Sequence, residues 1–359
     1  MDYLRYLGDV GAVGVELLTQ RYMMRHTLPL QSIGGCVRGK TIVVTGPTSG
    51  IGLQTASELA RRGAHVVLAC RNRAKGEALK SLLLQTLIDE AAENKVEVVE
   101  GQASPRPSLP KIDVMELDVA DLASVRAFAT SWLRGNRPLH ALVCNAGILS
   151  FGRAREETTD GFESHMGTNH LGHFLLTLML LPRLRETGRA EKTPARVVHV
   201  ASNMHYLGHV DCADPELKNA FPFTTVRAYC QSKLAQVLFA WELQRRVPAS
   251  ECLAVSVHPG EVMTDVIRTL PGPLQHAYRF LLKAVLLSPQ QGARSSVYAT
   301  SAEDLGEITS QGGNYYLHAD ATPRQPSVVA RDNELAAWMW DWSAERVGLE
   351  PKLNLSRRQ

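Results

Sequence analysis

The sequence predicts an α/β fold, a doubly wound parallel sheet in a single domain with a short N-terminal helical extension. Two observations carry that prediction. From residue 40 onward, continuous Val/Ile/Leu-rich runs alternate with helical patterns of about a dozen residues or more. A glycine-rich turn, TGPTSGIG at 45–52, closes the first run and opens the first helical pattern. Runs without polar alternation suit strands buried on both faces, and such sheets bind ligands at the carboxyl ends of their strands.

In chain order, KTIVVTG (40–46) reads as the first strand and SGIGLQTASELARRG as the first helix. HVVLACR (65–71) is the second strand, followed by the helix AKGEALKSLLLQTLIDEAAE. DVMELDV (113–119), HALVCNAG (140–147), RVVHVAS (196–202) and CLAVSVHPG (252–260) supply four more strands. GQASPRPSLPK (101–111) is rich in Pro and Ser and reads as a solvated surface insertion. TLPGPLQHAYRFLLKAVLLSP (269–289), bracketed by prolines, is placed after the last strands to cover the mouth of the site. No repeat or linker divides the chain. Residues 39–320 are therefore expected to form one domain, with a loop at 204–223 and a lid at 261–290 at the mouth of the site. A helix and tail follow at 321–359.

Residues 1–38 form the extension. Leu4, Leu7, Gly11, Val15 and Leu18 fall on one helical face, which reads either as a helix packed on the body or as one lying on a membrane surface. The segment has neither the apolar core of a secretory signal nor the acid-poor composition of a transit peptide. No apolar run reaches the 18 or so residues that a membrane span needs.

Composition narrows the function classes. The chain has 359 residues, 45% hydrophobic and 21% charged, with a net charge of +3. That charge is too small for a nucleic-acid partner, and no basic block with interleaved aromatics occurs. The six cysteines show no C-x-x-C spacing, and Cys70 and Cys144 lie in apolar runs. Reduced thiols packed as small hydrophobes suit a reducing, intracellular compartment, cytoplasmic or on the cytosolic face of an organelle membrane. No metal is expected. His199, His205 and His209 are closely spaced, as are His170 and His173, but no carboxylate or cysteine completes a ligand set around them.

The glycine-rich turn carries the first chemistry. Gly46 permits a tight turn, Gly50 lets backbone approach a ligand, and Gly52 lets the helix pack on the sheet. The first amides and positive end of that helix favour a pyrophosphate. The residue after the second strand then selects the dinucleotide. An acid there would hydrogen-bond the adenosine ribose and repel a 2′-phosphate. Here Cys70 is followed by Arg71, whose guanidinium can bind phosphate in bidentate fashion. NADP(H) is therefore expected rather than NAD(H). Further along, Tyr229 and Lys233 stand four residues apart in AYCQSKLAQVLFA, so a helix places both on one face. An ammonium beside a phenol favours phenolate, which would make Tyr229 a general acid–base nearer neutrality.

With the glycine-rich turn, NAG at 145–147 and Y-x-x-x-K in this order, the chain resembles the short-chain dehydrogenase/reductase family over about residues 38–320. The segments ACRNRAKGE, NHLGHFLL and YCQSKLA resemble most its retinol-dehydrogenase-like branch, whose members interconvert lipophilic carbonyls and alcohols on a Rossmann fold. The resemblance implies a role for each matching residue. Thr45, Gly46, Thr48, Ser49, Gly50, Ile51 and Gly52 would bind the cofactor. Asp118 would hydrogen-bond adenine, while Asn145, Ala146 and Gly147 would steady the sheet and line the adenine-ribose side. Pro259, Gly260 and Thr264 would meet the nicotinamide end. Asn169, Ser202, Tyr229 and Lys233 would be catalytic: Asn169 holding a water that links Lys233 to solvent, Ser202 hydrogen-bonding the substrate carbonyl, Tyr229 transferring the proton. Lys233 would tune that phenol and bind the nicotinamide ribose.

The substrate pocket is expected to draw Tyr206, Phe221, Phe223 and Tyr278 from the 204–223 and 269–289 segments, with few charges, so a small lipophilic carbonyl or alcohol is the expected partner. A homodimer and a membrane-surface contact through residues 1–38 stay open. Two other readings stand beside the enzyme: a nucleotide-binding interaction protein of the same fold without turnover, and a tetrapyrrole reductase, which shares the NHLGHFLL and Y-x-x-x-K pattern.

Overall fold

A computed structural model describes residues 3–25, 27–93, 110–150, 154–220, 222–262, 285–310 and 316–357. The elements run α1 (Tyr3–Met24), β1 (Thr41–Thr45), α2 (Gly50–Arg61), β2 (His65–Cys70), α3 (Arg73–Glu93), β3 (Ile112–Glu116), α4 (Leu122–Arg134), β4 (Ala141–Cys144), α5 (Gly172–Glu191) and β5 (Ala195–Val200). They continue with α6 (Thr225–Arg246), β6 (Cys252–Val257), α7 (Pro289–Ser301), α8 (Leu305–Ser310), β7 (Tyr316–Leu317) and α9 (Asn333–Arg346). The strands form one parallel sheet in the order β3-β2-β1-β4-β5-β6-β7. The order reverses between β1 and β4, which opens a crevice at the carboxyl ends of those two strands.

Strand side chains alternate between two cores, as the pleat requires. Val43, Leu142 and Cys144 join the larger core with Phe174, Phe239 and Trp340. Ile42, Val44, Ala141 and Val143 join the opposite core with Leu59, Leu68 and Ala299. The continuous apolar runs therefore reflect helices on both faces. All six strands expected from the sequence are present, each ending one to three residues before its expected end, so most of the motif residues lie at or just beyond the strand ends. β7 was not expected. At two residues it has no pattern of its own, and it exists through pairing of Tyr316 and Leu317 with Ser256 and Val257.

The N-terminal extension corrects one expectation. α1 does pack on the body, but not through its apolar face. Val15 and Leu18 are 62% and 72% exposed, while Gln20 and Met24 are buried and Glu16 is half-buried. No helix among the described residues is long and apolar enough to cross a membrane. The C-terminal segment is equally integrated, because Trp340 of α9 stacks among Phe174 and Phe239 and Arg357 reaches the buried Glu242 of α6. Most of the 101–111 insertion and the 269–289 helix, and of the lid at 261–290, lies outside the described residues.

Candidate active site

The glycine turn is held by close backbone approach. Gly46 leaves β1 at φ +61°, and a side chain there would bring Cβ within 2.9 Å of the Ala146 Cα. At Gly52 an added Cβ would stand 2.3 Å from Asn145 Nδ2 and 2.4 Å from the Gly46 carbonyl oxygen. Asn145 knots β4 to the turn: Nδ2 donates to the carbonyls of Thr45 (2.9 Å) and Gly46 (3.2 Å). In return Thr45 Oγ1 accepts the amides of Asn145 and Ala146, both at 2.9 Å. Ser49, the N-cap of α2, makes no side-chain cap, so the first amides of α2 are left to an anion in the crevice. Thr48 and Gly50, at φ +55°, complete the turn. The Ile51 side chain packs with Leu30, Ile33, Ala293 and Val297, which leaves only its backbone to a ligand. This cradle fits a dinucleotide pyrophosphate.

Arg71 follows β2 directly, and its exposed guanidinium lies 3.9 Å from the Asp118 carboxylate. Asp118 is two residues past β3 and is not the cap of the next helix, a role taken by Asp121. One Asp118 oxygen accepts the Ala120 amide and the other faces Arg71.

The four expected catalytic residues converge. Asn169 lies in a wide π-type turn, Met166–Leu171, ahead of α5. Its Oδ1 accepts the Ile148 amide (2.8 Å), and its Nδ2 donates to the Ile148 carbonyl and the Ser232 hydroxyl. A Cβ on Gly147 would meet both Asn169 Oδ1 (3.2 Å) and Lys233 Nζ (3.7 Å), so the two side chains border one glycine. Lys233 donates to the Val200 carbonyl and to Gln236 Oε1, each at 2.9 Å. Its Nζ lies 5.5 Å from the centre of the Tyr229 ring. Ser202 caps a short 3-10 turn (Asn203–Leu207) by accepting the Met204 amide, it donates to Asn203 Oδ1 at 3.3 Å, and its hydroxyl stands near enough to the Tyr229 phenol to favour that phenol's ionised form. Tyr229 as a whole is half-buried.

Electrostatics here differ from the expectation. The sequence predicts that Lys233 lowers the Tyr229 pKa. Instead burial, seconded by the neighbouring Glu261, holds the phenol above its ordinary value, and the nearby Ser202 hydroxyl offsets only part of this. Burial also brings the Lys233 ammonium down from 10.5 to about 7. A half-neutralised lysine is a weak source of the expected field, so at neutral pH Tyr229 is a protonated acid.

On the substrate side, Tyr206 donates its hydroxyl to the Gln325 carbonyl (2.6 Å) and stacks on His205, so it can offer a ligand only its ring. Phe223 is half-buried just ahead of α6. Phe221, Thr264 and Tyr278 lie outside the described residues. Pro259 and Gly260 follow β6, and a Cβ on Gly260 (φ +81°) would meet Leu287 Cδ1 at 2.5 Å and Gln20 Oε1 at 3.0 Å.

Sequence reasoning missed Asn203, His258, Glu261, Gln236 and, on α1, Glu16 and Gln20. Only Glu261 carried a signal, as an acid directly after the Pro-Gly pair. Among the described residues, Glu16, His258 and His318, none of them expected from the sequence to be a ligand, bring their ligand atoms within 4.8 Å of one another. Both imidazole Nε2 atoms stand 2.7 Å from Glu16 Oε1. His258 Nδ1 accepts the Asn203 amide at 3.0 Å, which puts the ring proton on Nε2, aimed at Glu16. That is a hydrogen-bond donor rather than a metal ligand.

Comparison with known proteins gives a consistent result. A family model described as short chain dehydrogenase matches residues 40–213. Retinol dehydrogenase 11 of Homo sapiens is 37% identical over 311 residues, covering 87% of this chain and 86% of its own. Polyprenol dehydrogenase of Mus musculus is 41% identical over 304 residues, covering 84% and 82%. Among solved structures, an uncharacterized protein from Mycobacterium paratuberculosis superposes with a TM-score of 0.65 at 32% identity, covering 90% of this chain and 98% of that one.

Proposed function

Because the chain belongs to the short-chain dehydrogenase family, in its retinol-dehydrogenase-like branch, and is an NAD(P)-dependent oxidoreductase acting on CH–OH donors, we propose that it reduces a lipophilic aldehyde or ketone with NADPH. The observation that carries this reading is the gathering of Tyr229, Lys233 and Ser202 just past β5: Lys233 donates to the Val200 carbonyl two residues before Ser202, and its Nζ stands 5.5 Å from the centre of the Tyr229 ring.

The bound dinucleotide supplies the hydride. As negative charge grows on the substrate oxygen, Ser202 donates a hydrogen bond to it and Tyr229 delivers its proton. The raised phenol pKa keeps that proton in place until the oxygen becomes basic. Lys233, fixed by Val200 and Gln236, stands ready to hydrogen-bond the ribose hydroxyls, and Asn169 anchors the backbone beside it. Arg71 takes the adenosine 2′-phosphate, with no acid at position 70 to oppose it. Retinol and polyprenol, the alcohols in the names of two relatives, are both apolar, which agrees with the aromatic residues expected around the pocket. The outward face of α1, with Val15 and Leu18 exposed, suits contact with the lipid surface from which such a substrate comes.

NADPH oxidation across a panel of lipophilic carbonyls tests the reading, with Tyr229→Phe as the comparison. Cofactor binding without turnover of any carbonyl in the wild type would overturn it.

A further inference from the structure

Two polar side chains of α1, Glu16 and Gln20, reach the backbone or the anchor of residues in the loops beside Ser202, with further contacts to His318 and Val285. Gln20, 2% exposed, accepts the Glu261 amide (2.9 Å) and donates to the carbonyls of Glu261 (3.2 Å) and Val285 (3.1 Å). Glu16 accepts from His258 Nε2, and the same ring accepts the Asn203 amide through Nδ1. Two residues of one helix thus hold the backbones of Glu261 and Asn203.

Those two residues in turn meet next to the catalytic serine. Burial raises the pKa of the Glu261 carboxyl, and the Asn203 side chain lies close enough to offset part of that rise, though short of full hydrogen-bond geometry. Asn203 Nδ2 and Glu261 Oε1 are both buried and have no other partner among the described residues. At its other end, Asn203 Oδ1 accepts the Ser202 hydroxyl proton at 3.3 Å. Ser202 has one proton, which it gives to Asn203 Oδ1, while its oxygen accepts the Met204 amide and lies beside the Tyr229 phenol. The setting of the Asn203 amide therefore decides where the Ser202 proton points.

We infer that α1 is a working part of the active site: Glu16 and Gln20 are positioning residues that fix Asn203 and Glu261, and the Asn203 side chain so held governs how the Ser202 hydroxyl is presented to the site. The inference rests on the oxidoreductase reading for its catalytic consequence, not for the clamp itself. A helix that served only as a scaffold would need no buried glutamine satisfied at three backbone positions beside one catalytic loop.

The test uses the full-length chain carrying Glu16→Gln or Gln20→Met, each close to the original in size, with and without Ser202→Ala. Thermal denaturation confirms that each variant folds. Each single variant is expected to lower kcat on the order of tenfold with NADPH affinity unchanged, and to cause no further loss once Ser202 is replaced. Additive losses on the Ser202→Ala background, or an unchanged kcat, overturn the inference. Hydrogen–deuterium exchange gives a readout independent of turnover. The Asn203 and Glu261 amides should exchange faster in Glu16→Gln and Gln20→Met respectively, with the sheet unaffected. If the wild type turns over no carbonyl, the oxidoreductase reading falls and exchange alone decides: local acceleration upholds the clamp, and its absence overturns it.

Discussion

Lys233 donates its ammonium proton to the carbonyl oxygen of Val200 at 2.9 Å. This bond ties the catalytic helix to the end of β5, two residues before Ser202. It fixes the spacing between Lys233 and Ser202, the two residues proposed to position the proton donor and to steady the developing charge. Gln236 supplies the second acceptor, one helical turn away. With two neutral acceptors and no carboxylate among its hydrogen-bond partners in the described residues, the buried lysine is held in place but poorly stabilised as a cation.

A pH signature follows from that burial. The Lys233 pKa falls from 10.5 to about 7 on folding. Above about pH 10.5 the group is neutral in both states and costs nothing. As pH falls from there to about 7, the unfolded chain takes up a proton that the folded protein refuses, so stability is lost, by roughly 5 kcal/mol over the whole window. Below pH 7 the loss is complete. Lys233→Met removes the effect. The variant's melting temperature minus that of wild type should therefore be greatest near pH 7 and shrink steadily toward pH 10. A pH-independent difference would sink the argument, whatever its sign.

Tyr229→Phe removes the acid but keeps the ring. General acid catalysis is typically worth about 10²–10⁴-fold, so kcat/KM for carbonyl reduction should fall by that much. NADPH affinity should hold, because the glycine turn and Arg71 are untouched. Steady-state rates and a cofactor titration check both halves, and turnover equal to wild type would remove Tyr229 from its role.

Much of this site was legible in the sequence, because its parts are local. Gly46, Gly50 and Gly52 sit in one turn, and Tyr229 and Lys233 are a helical turn apart. What was not legible depends on long separations or on burial. Glu16 and Gln20 meet His258 and Glu261 from some 240 residues away, and no local pattern reports such a pairing. On α1 the periodicity of Val15 and Leu18 suggested the packed face, yet the buried face is the one carrying Glu16, Gln20 and Met24, chosen by hydrogen-bond partners rather than by apolar area. The Tyr229 pKa was misjudged for a related reason: spacing shows that Lys233 is near, but only the fold shows that both groups are desolvated.

Gly52→Ala should damage the fold and the cofactor site together. Its Cβ would overlap Asn145 Nδ2 and the Gly46 carbonyl, the contacts that knot β4 to the turn. Overpacking of this kind costs about 1–3 kcal/mol, and a loss of that size should appear as a lower melting temperature with weakened NADPH binding. Gly11→Ala is the control. No atom lies within 4 Å of its Cβ position, and replacing a glycine inside a helix stabilises by about 1 kcal/mol.

The exposed face of α1 predicts lipid binding. Burying Val15 and Leu18 in an interface is worth about 1–2 kcal/mol each, so Val15→Ser with Leu18→Ser should weaken binding to phosphatidylcholine vesicles roughly a hundredfold. Co-sedimentation measures this, and NADPH binding should not change because the docked face of α1 is untouched. Equal sedimentation of both proteins would remove the helix face from the membrane reading.

Arg71→Ala addresses the cofactor. The guanidinium stands at the carboxyl end of β2, exposed, with only a loose 3.9 Å contact to Asp118 to lose when it moves onto a phosphate. A charge-assisted hydrogen bond contributes about 1.5–3 kcal/mol, so NADPH affinity should fall roughly tenfold or more. NADH, with a hydroxyl where NADPH carries phosphate, gives the arginine no dianion to bind and should lose about threefold at most. The ratio of the two dissociation constants, measured by fluorescence titration, isolates the 2′-phosphate from every contact that the cofactors share. A ratio unchanged by the mutation would mean that Arg71 does not read the phosphate, and the preference for NADPH would then lose its only named residue.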